Sequence, residues 1–391
     1  MKRALSLTLT FCLMIALSAA LGELALRIIG PRLGGPLGVA ARYVTTGQPY
    51  AEAWTPAWTT NRDHYYTLRP GLVDALQYGS PTVQFRLTTN ELWEGGGIGF
   101  RTRPIVFFVD AVVVGDSFGL CFTEQADCWV DLLGEALGQN VVNLSQPVTG
   151  SRSHLKILQD FGAPLRPPLV IWQFFGNDFN DDYGLALLRG EVERPPQEEA
   201  APAEATDLRG WLRRSSVLYA MIETTLAGRY LGTPESEALF VKPYTVRFGA
   251  QNQHVMQVGG QYELQALDMS RPENQQGLAM SRAAFREAAA LVESWGGRLV
   301  FVLIPTREEV YREMVEAVMP PAEIDRLASA RAAMQGLCAD LALTCWDAYD
   351  ALRPPALNGE ALYFVDDLHL NPNGNRTLAA WLAALIAGAQ P

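Results

Sequence analysis

From residue 105 onward the chain alternates apolar runs of strand length with helical patterns, and few folds accept that alternation. Neighbouring parallel strands cannot be joined by a tight turn and need a crossover, usually a helix. The alternation therefore predicts an α/β domain on a parallel sheet. Strands are expected at 105–114, 141–144, 169–175, 297–304 and 343–346. Helices are expected from an Asp127 cap through 137, then at 151–161, about 275–295, 307–318, 322–339 and 373–387. With AVILMFWYC at 49% and charged residues at 19%, the 391 residues carry enough apolar material for a sizeable core. No repeat signals a solenoid or propeller. The net charge of −11, without a basic patch, argues against a nucleic-acid partner.

Two regions depart from the alternation. Residues 31–104 are rich in Pro, Gly, Thr and Asn and form a mixed N-terminal segment in which 82–87 alternates like a strand. Residues about 180–275 interrupt the domain between its third and fourth strands. Within them 191–206 reads as a surface loop, 208–226 as an amphipathic helix, and 240–267 as a hairpin turning at Gly259-Gly260. This insertion is expected to cap the mouth of the sheet in a domain spanning 105–391.

Lys2 and Arg3 precede 19 uncharged residues, 4–22. That run approaches a bilayer span and exceeds the core of a signal peptide. Residues 1–30 read as a membrane anchor, or as a signal cleaved after Ala20 or Gly22. Either reading places the remainder on the extracytoplasmic side, because the positive end stays inside. Cys12 lacks the small residues of a lipidation site before it. The other cysteines form two pairs of equal spacing, Cys121 with Cys128 and Cys338 with Cys345. Seven residues along one helix would part the Cα atoms by about 10 Å, too far to bridge, so each pair needs a turn. Two local disulfides are expected, against four buried thiols.

Gly115-Asp116-Ser117-Phe118-Gly119 follows the first apolar strand. Functional groups collect at the carboxyl ends of strands in open parallel sheets, and the flanking glycines permit a sharp turn into a helix. Ser117 is the candidate nucleophile, and a serine hydroxyl needs a base with an orienting acid. Of the four histidines, His369 lies in Asp366-Asp367-Leu368-His369, before the last helix. One turn would bring Asp366 under Nδ1 of His369. His64, in Asp63-His64, is the alternative base, better read as a surface or packing residue. His154 and His254 read as structural or exposed. Oxyanion donors are expected from Asn177, in Gly176-Asn177-Asp178 after the third strand, and from the backbone N–H groups of Gly150 and Ser117. Asp178, Asp181 and Asp182 lack calcium-loop spacing and read as a solvated turn rather than a cation site; no metal and no cofactor are expected. The aromatic residues read as core rather than as a glycan platform.

A Gly-Asp-Ser block, a glycine after the second strand, a Gly-Asn-Asp block and a late Asp-x-x-His occur in chain order. This pattern resembles the SGNH (GDSL) hydrolase superfamily over about 105–180 and 297–390, and Asn371 and Gly374 extend it around His369. The resemblance implies a three-layer α/β/α sandwich with a flavodoxin-like sheet. It implies Ser117 as nucleophile, His369 as base, Asp366 as orienting acid, and Ser117 N–H, Gly150 N–H and Asn177 as oxyanion donors. Phe118 stands where the family has Leu, and the 180–275 insertion is unusual. The anchor, Glu23 with Arg27, and Ile304-Pro305-Thr306-Arg307-Glu308-Glu309 look like membrane-anchored members related to polysaccharide O-acetyltransferases. Members resembling the alginate acetyltransferase carry an Asp-His pair before the serine, which Asp63-His64 matches only superficially. Gly115–Gly119 also fits the nucleophile elbow of α/β-hydrolases, but too few strands precede it.

Three functions follow. The first is an exported serine esterase that removes an acyl group, with acetyl foremost, from an envelope glycan or lipid. The second is an O-acyltransferase that passes the group to a sugar hydroxyl beside an envelope acetylation machinery. The third is a non-catalytic envelope binding protein on the same scaffold.

Overall fold

The computed structural model describes residues 2–33, 35–46, 57–80, 83–103, 108–193, 208–227 and 241–388. The expected loop at 191–206 lies largely outside these residues, as do parts of the expected strands at 82–87 and 105–114. The chain divides into two compact units, Met1–Pro56 with Pro196–Ala238, and Ala57–Pro195 with Leu239–Pro391. This division differs from the expected segments. Residues 57–104 group with the sheet, and the insertion is split between the units.

In the first unit a helix runs over Lys2–Ile29. The helical stretch Thr8–Arg32, which includes the short turn Gly30–Arg32 after it, is long and apolar enough to cross a membrane. Leu9, Phe11, Leu13 and Met14 are exposed along it. An N-terminal helix of this kind fits a signal anchor or signal sequence. The insertion's expected helix at 208–226 is two helices, Leu208–Ser215 and Val217–Ala227, broken at Ser216. The Glu23 carboxylate caps the second, accepting from Ser216 Oγ at 2.9 Å, Val217 N at 3.0 Å and Leu218 N at 2.8 Å. Arg27 pairs with Glu23 at 2.8 Å and donates to Ser215 O at 2.5 Å.

The second unit is built on five parallel strands: β5 (Ala111–Val114), β6 (Val141–Asn143), β7 (Leu169–Phe174), β10 (Arg298–Leu303) and β11 (Cys345–Asp347). Their order across the sheet is β11-β10-β7-β5-β6. Counted within the sheet this is 2-1-3-4-5, the flavodoxin-like arrangement, with its switch point between β5 and β7. Every residue of β5 and β7 is buried, so both sheet faces are covered. Helix Trp129–Leu137 packs on Pro372–Gly388, while Ser151–Ile157 and Asp178–Arg189 pack on Pro272–Glu293. These two sets form the outer layers of the three-layer sandwich.

Short antiparallel pairs complete the unit: β1 (Trp58–Asn61) with β2 (Tyr65–Leu68), β3 (Ala75–Tyr78) with β4 (Gln84–Leu87), and β8 (Tyr244–Phe248) with β9 (His254–Val258). The last pair turns at Gly249–Gln253 rather than at Gly259-Gly260, which leads instead into helix Gln261–Ala266. Three other expectations need correction. Asp127 does not cap helix Trp129–Leu137; Cys128 stands at that position, and Asp127 pairs with Arg376 at 2.6 Å. The expected helix at 307–318 is two short helices, Arg307–Val310 and Arg312–Val315. Helix 151–161 finishes as a π turn over Leu158–Gly162. Both expected disulfides are present, with Cα separations of 5.5 Å for Cys121–Cys128 and 6.1 Å for Cys338–Cys345.

Candidate active site

Strand β5 delivers Gly115-Asp116-Ser117 to its carboxyl end, where helix Ser117–Leu120 begins. Asp116 caps that helix, its carboxylate accepting from Phe118 N at 2.8 Å. Gln173 on β7 accepts from Asp116 N and Gly119 N with one oxygen, each at 3.0 Å. Asn143 on β6 donates to Gly119 O at 2.8 Å. Side chains of both neighbouring strands thus fix the turn. A Cβ on Gly115 would meet Gln173 Oε1 at 2.3 Å, and one on Gly119 would meet Ser145 Oγ at 2.1 Å. The two glycines allow this close approach.

His369 arrives from the far end of the chain. Asn371 sets its loop, donating to Ala361 O at 2.9 Å and Tyr363 O at 3.0 Å and accepting from the Asn373 and Gly374 amides. Gly374 sits where a Cβ would meet Leu362 O at 2.1 Å. His369 Nε2 lies 2.7 Å from Ser117 Oγ. Its Nδ1 lies 2.5 Å from Asp367 Oδ1, which also accepts from His369 N at 2.9 Å. An ionised carboxylate only accepts, so Nδ1 carries the proton and Nε2 is free to accept from the serine.

The partner of His369 is therefore Asp367, not Asp366. The segment between them is an irregular turn rather than a helical one, so the acid two positions back, not three, meets the imidazole. Asp366 accepts from Ser80 Oγ at 2.9 Å, and its carbonyl takes Lys242 Nζ at 2.7 Å. Arg307 donates to the Asp367 carbonyl at 2.8 Å, so two cations brace the turn. Burial pushes the Asp367 carboxyl up, but attraction and hydrogen bonding from His369, with Lys242 beyond, outweigh it and hold it at about 2. Burial pushes Asp116 up to about 6.

Gly150 and Asn177 stand after the neighbouring strands β6 and β7. Gly150 opens helix Ser151–Ile157, and a Cβ there would meet Asp178 O at 2.3 Å and Asp182 Oδ1 at 2.6 Å. The Asn177 amide donates to Asp181 Oδ2 at 2.9 Å. Asp178, Asp181 and Asp182 are buried, which corrects the solvated-turn reading. Burial, then repulsion from Asp116 and Asp182, drives Asp178 and Asp181 well above the usual carboxylate range. Burial takes Asp182 to about 7. Among the described residues no three His, Cys, Asp or Glu side chains are grouped to hold a metal ion.

The remaining histidines lie elsewhere. His64 bonds Asp160 at 3.0 Å and lines a cleft of about 580 Å³ with Trp93 and Phe161. Burial lowers its pKa. His154 is buried, bonded to Thr149 Oγ1 at 3.1 Å and pushed down to about 3 by burial. Sequence reasoning missed Gln173, Lys242 and the brace role of Arg307. Their chemistry depends on strand adjacency and on loops far apart in the chain.

A flavodoxin-ordered sheet thus carries a Ser-His-Asp relay at its switch point. The family model described as SGNH hydrolase-like domain, acetyltransferase AlgX, matches residues 264–391. No curated protein sequence matches the chain. Among solved structures it is similar to a lipase/acylhydrolase from Enterococcus faecalis, at 14% identity over 72% of this chain and 96% of that one, with TM-score 0.37. It is similar to a lipolytic G-D-S-L family protein from Veillonella parvula DSM 2008, at 10% identity over 72% and 98%, TM-score 0.37. An acetyl xylan esterase, AlAXEase, shows 10% identity over 71% and 99%, TM-score 0.37.

Proposed function

We propose that the chain is an exported serine esterase acting on acyl esters, acetyl foremost, of envelope glycans or lipids. The observation that carries this is the relay of Ser117, His369 and Asp367 at 2.7 and 2.5 Å. Ser117 Oγ attacks the acyl carbon while its proton passes to His369 Nε2, and Asp367 stabilises the imidazolium. The developing oxyanion is met by the N–H groups of Ser117 and Gly150 and by the Asn177 amide. Collapse expels the alcohol, which takes the proton from His369 and leaves an acyl group on Ser117. Water then completes hydrolysis by the same route in reverse.

The match to an acetyltransferase family over 264–391 favours a second reading, in which a sugar hydroxyl replaces water. A complete relay weighs against a purely binding role. The apolar N-terminal helix and two disulfides support an extracytoplasmic domain, held by residues 4–22 or released after cleavage. The test uses the full chain with p-nitrophenyl acetate. Ser117→Ala and His369→Ala are expected to abolish turnover, and a fluorophosphonate is expected to label Ser117. Full activity in Ser117→Ala would remove the mechanism.

A further inference from the structure

The cleft beside His64 takes no part in the relay, and three segments build it. The hairpin β1–β2 supplies Thr59, Asp63 and His64, and the π turn Leu158–Gly162 supplies Asp160 and Phe161. The third segment is the glycine-rich loop that carries Trp93. π turns within α-helices concentrate at functional sites, and this one delivers two lining side chains to a single cleft. Gly95 and Gly97, at φ +79° and +74°, take a left-handed backbone that suits glycine. The loop they form is pinned by Gly96 N donating to Trp93 O at 3.1 Å and by Gly97 N donating to Glu91 Oε1 at 2.6 Å.

Trp93 departs from the core reading of the aromatic residues. One side of its ring stacks on Phe161, with centroids 5.2 Å and planes 22° apart, and Phe100 holds Phe161 edge-on at 4.9 Å. Yet 40% of Trp93 is exposed, and no second ring among the described residues covers it. Its indole N–H, the exposed Asp63 carboxylate and the Thr59 hydroxyl also have no hydrogen-bond partner among the described residues. Asp160 is the opposite case, since Lys156 at 2.6 Å and His64 at 3.0 Å already engage its carboxylate.

These features select the ligand. The volume of about 580 Å³ suits a small molecule or a short chain segment. An anion is repelled by Asp63, and Lys156 is committed to Asp160. A cation gains little from one exposed acid in water. An acyl chain would cover Asp63 and Thr59 and leave them without partners. A sugar ring has C–H bonds on its face and hydroxyls around its edge, so it matches a braced indole ringed by free polar groups.

We propose that this cleft is a glycan-binding subsite, in which an uncharged sugar ring stacks on Trp93 and its hydroxyls bond Asp63 and Thr59. The π turn continues the helix that Gly150 opens, and Asp160 stands roughly 15 Å along it from that glycine. The subsite therefore holds sugar units away from the ester, not the ester itself. It narrows the glycan-or-lipid choice above to a glycan, and only its link to catalysis rests on the esterase reading.

The experiment titrates the full-length protein, in a detergent without a sugar headgroup, with cellotriose, xylotriose and tri-N-acetylchitotriose, and reads Kd by ligand-observed NMR. At least one of the three is expected to bind. Trp93→Ala is expected to raise its Kd by about tenfold, and Trp93→Tyr, which keeps a ring, to restore most of the affinity. Asp63→Ala is expected to raise Kd by about threefold. Serine-dependent turnover of p-nitrophenyl acetate is expected to stay at the wild-type level in all three variants, which shows that they fold. Absence of binding by all three sugars overturns the proposal, as does an unchanged Kd in Trp93→Ala. Equal or tighter binding of trigalacturonic acid, or of the deacetylated and cationic chitotriose, overturns the assignment to an uncharged sugar. If Trp93→Ala fails to fold, Asp63→Ala decides, and an unchanged Kd there overturns the proposal. Turnover that does not depend on Ser117 overturns the esterase reading alone, while Trp93-dependent sugar binding still supports the subsite.

Discussion

Asp366 and Asp367 are adjacent carboxylates with different surroundings. Only Asp367 reaches Nδ1 of His369; Asp366 holds Ser80 and, through its carbonyl, Lys242. Asp367→Asn presents an amide N–H or a carbonyl where a charge stood, disturbing both tautomer and imidazolium. Its kcat on an acyl ester is expected to fall by roughly 10⁴-fold, with Asp366→Asn within about tenfold of wild type. Equal losses in the two variants would return the role to the turn as a whole. Asp367 stays ionised through neutral pH because its folded pKa is about 2 against a reference of 3.8. The stability it contributes is therefore complete above pH 3.8 and is lost as pH falls through about 2. The pairing of Ser117 with His369 was legible in the sequence, because a Gly-Asp-Ser turn after a strand and one acid-flanked histidine admit few arrangements. The acid was not: two aspartates stood within reach, and only the backbone path of the turn chooses between them.

Elements buried on both faces were legible and those shaped by local packing were not. Four of the five parallel strands stand within the expected segments, and β11 runs one residue past its own, because a strand covered on both faces reads as a continuous apolar run. The break at Ser216, the split at Tyr311 and the hairpin turn at Gly249–Gln253 leave no such trace. Helix Asp178–Arg189 was the least legible: three aspartates in its first two turns look solvated, yet the helix buries them. Asp182 accepts from Arg152 N at 2.7 Å and Ser281 Oγ at 2.6 Å, and an asparagine satisfies both groups. Its folded pKa of about 7 exceeds the reference 3.8, so the folded state binds the extra proton between those values. The stability linked to Asp182 is complete below pH 3.8 and is lost as pH rises through about 7. Asp182→Asn is thus expected to melt increasingly above wild type from pH 5 to pH 8. A difference that stays flat across that range would place the proton elsewhere in the cluster.

An apolar N-terminal helix and two disulfides are consistent properties of one molecule, since a chain delivered across a membrane meets an oxidising compartment. The two bonds close loops of the same length, with a sequence separation of 7 each, so chain entropy assigns them similar stabilisation, about 2–3 kcal/mol. Their places in the molecule differ. Cys338–Cys345 joins helix Pro321–Asp340 to β11, the edge strand farthest from β6 in the sheet order. Cys121–Cys128 closes the segment that carries Phe122 onto His369. Removing the first as Cys338→Ser/Cys345→Ser is expected to lower Tm by roughly 5 °C and to leave turnover per folded molecule unchanged. Removing the second is expected to lower Tm by a similar amount and also to change turnover, because the ring against the base loses its tether. Thermal melts and serine-dependent turnover of the two double variants separate the effects. If both variants lose only stability, Cys121–Cys128 is a staple and Phe122 keeps its place against His369 without it.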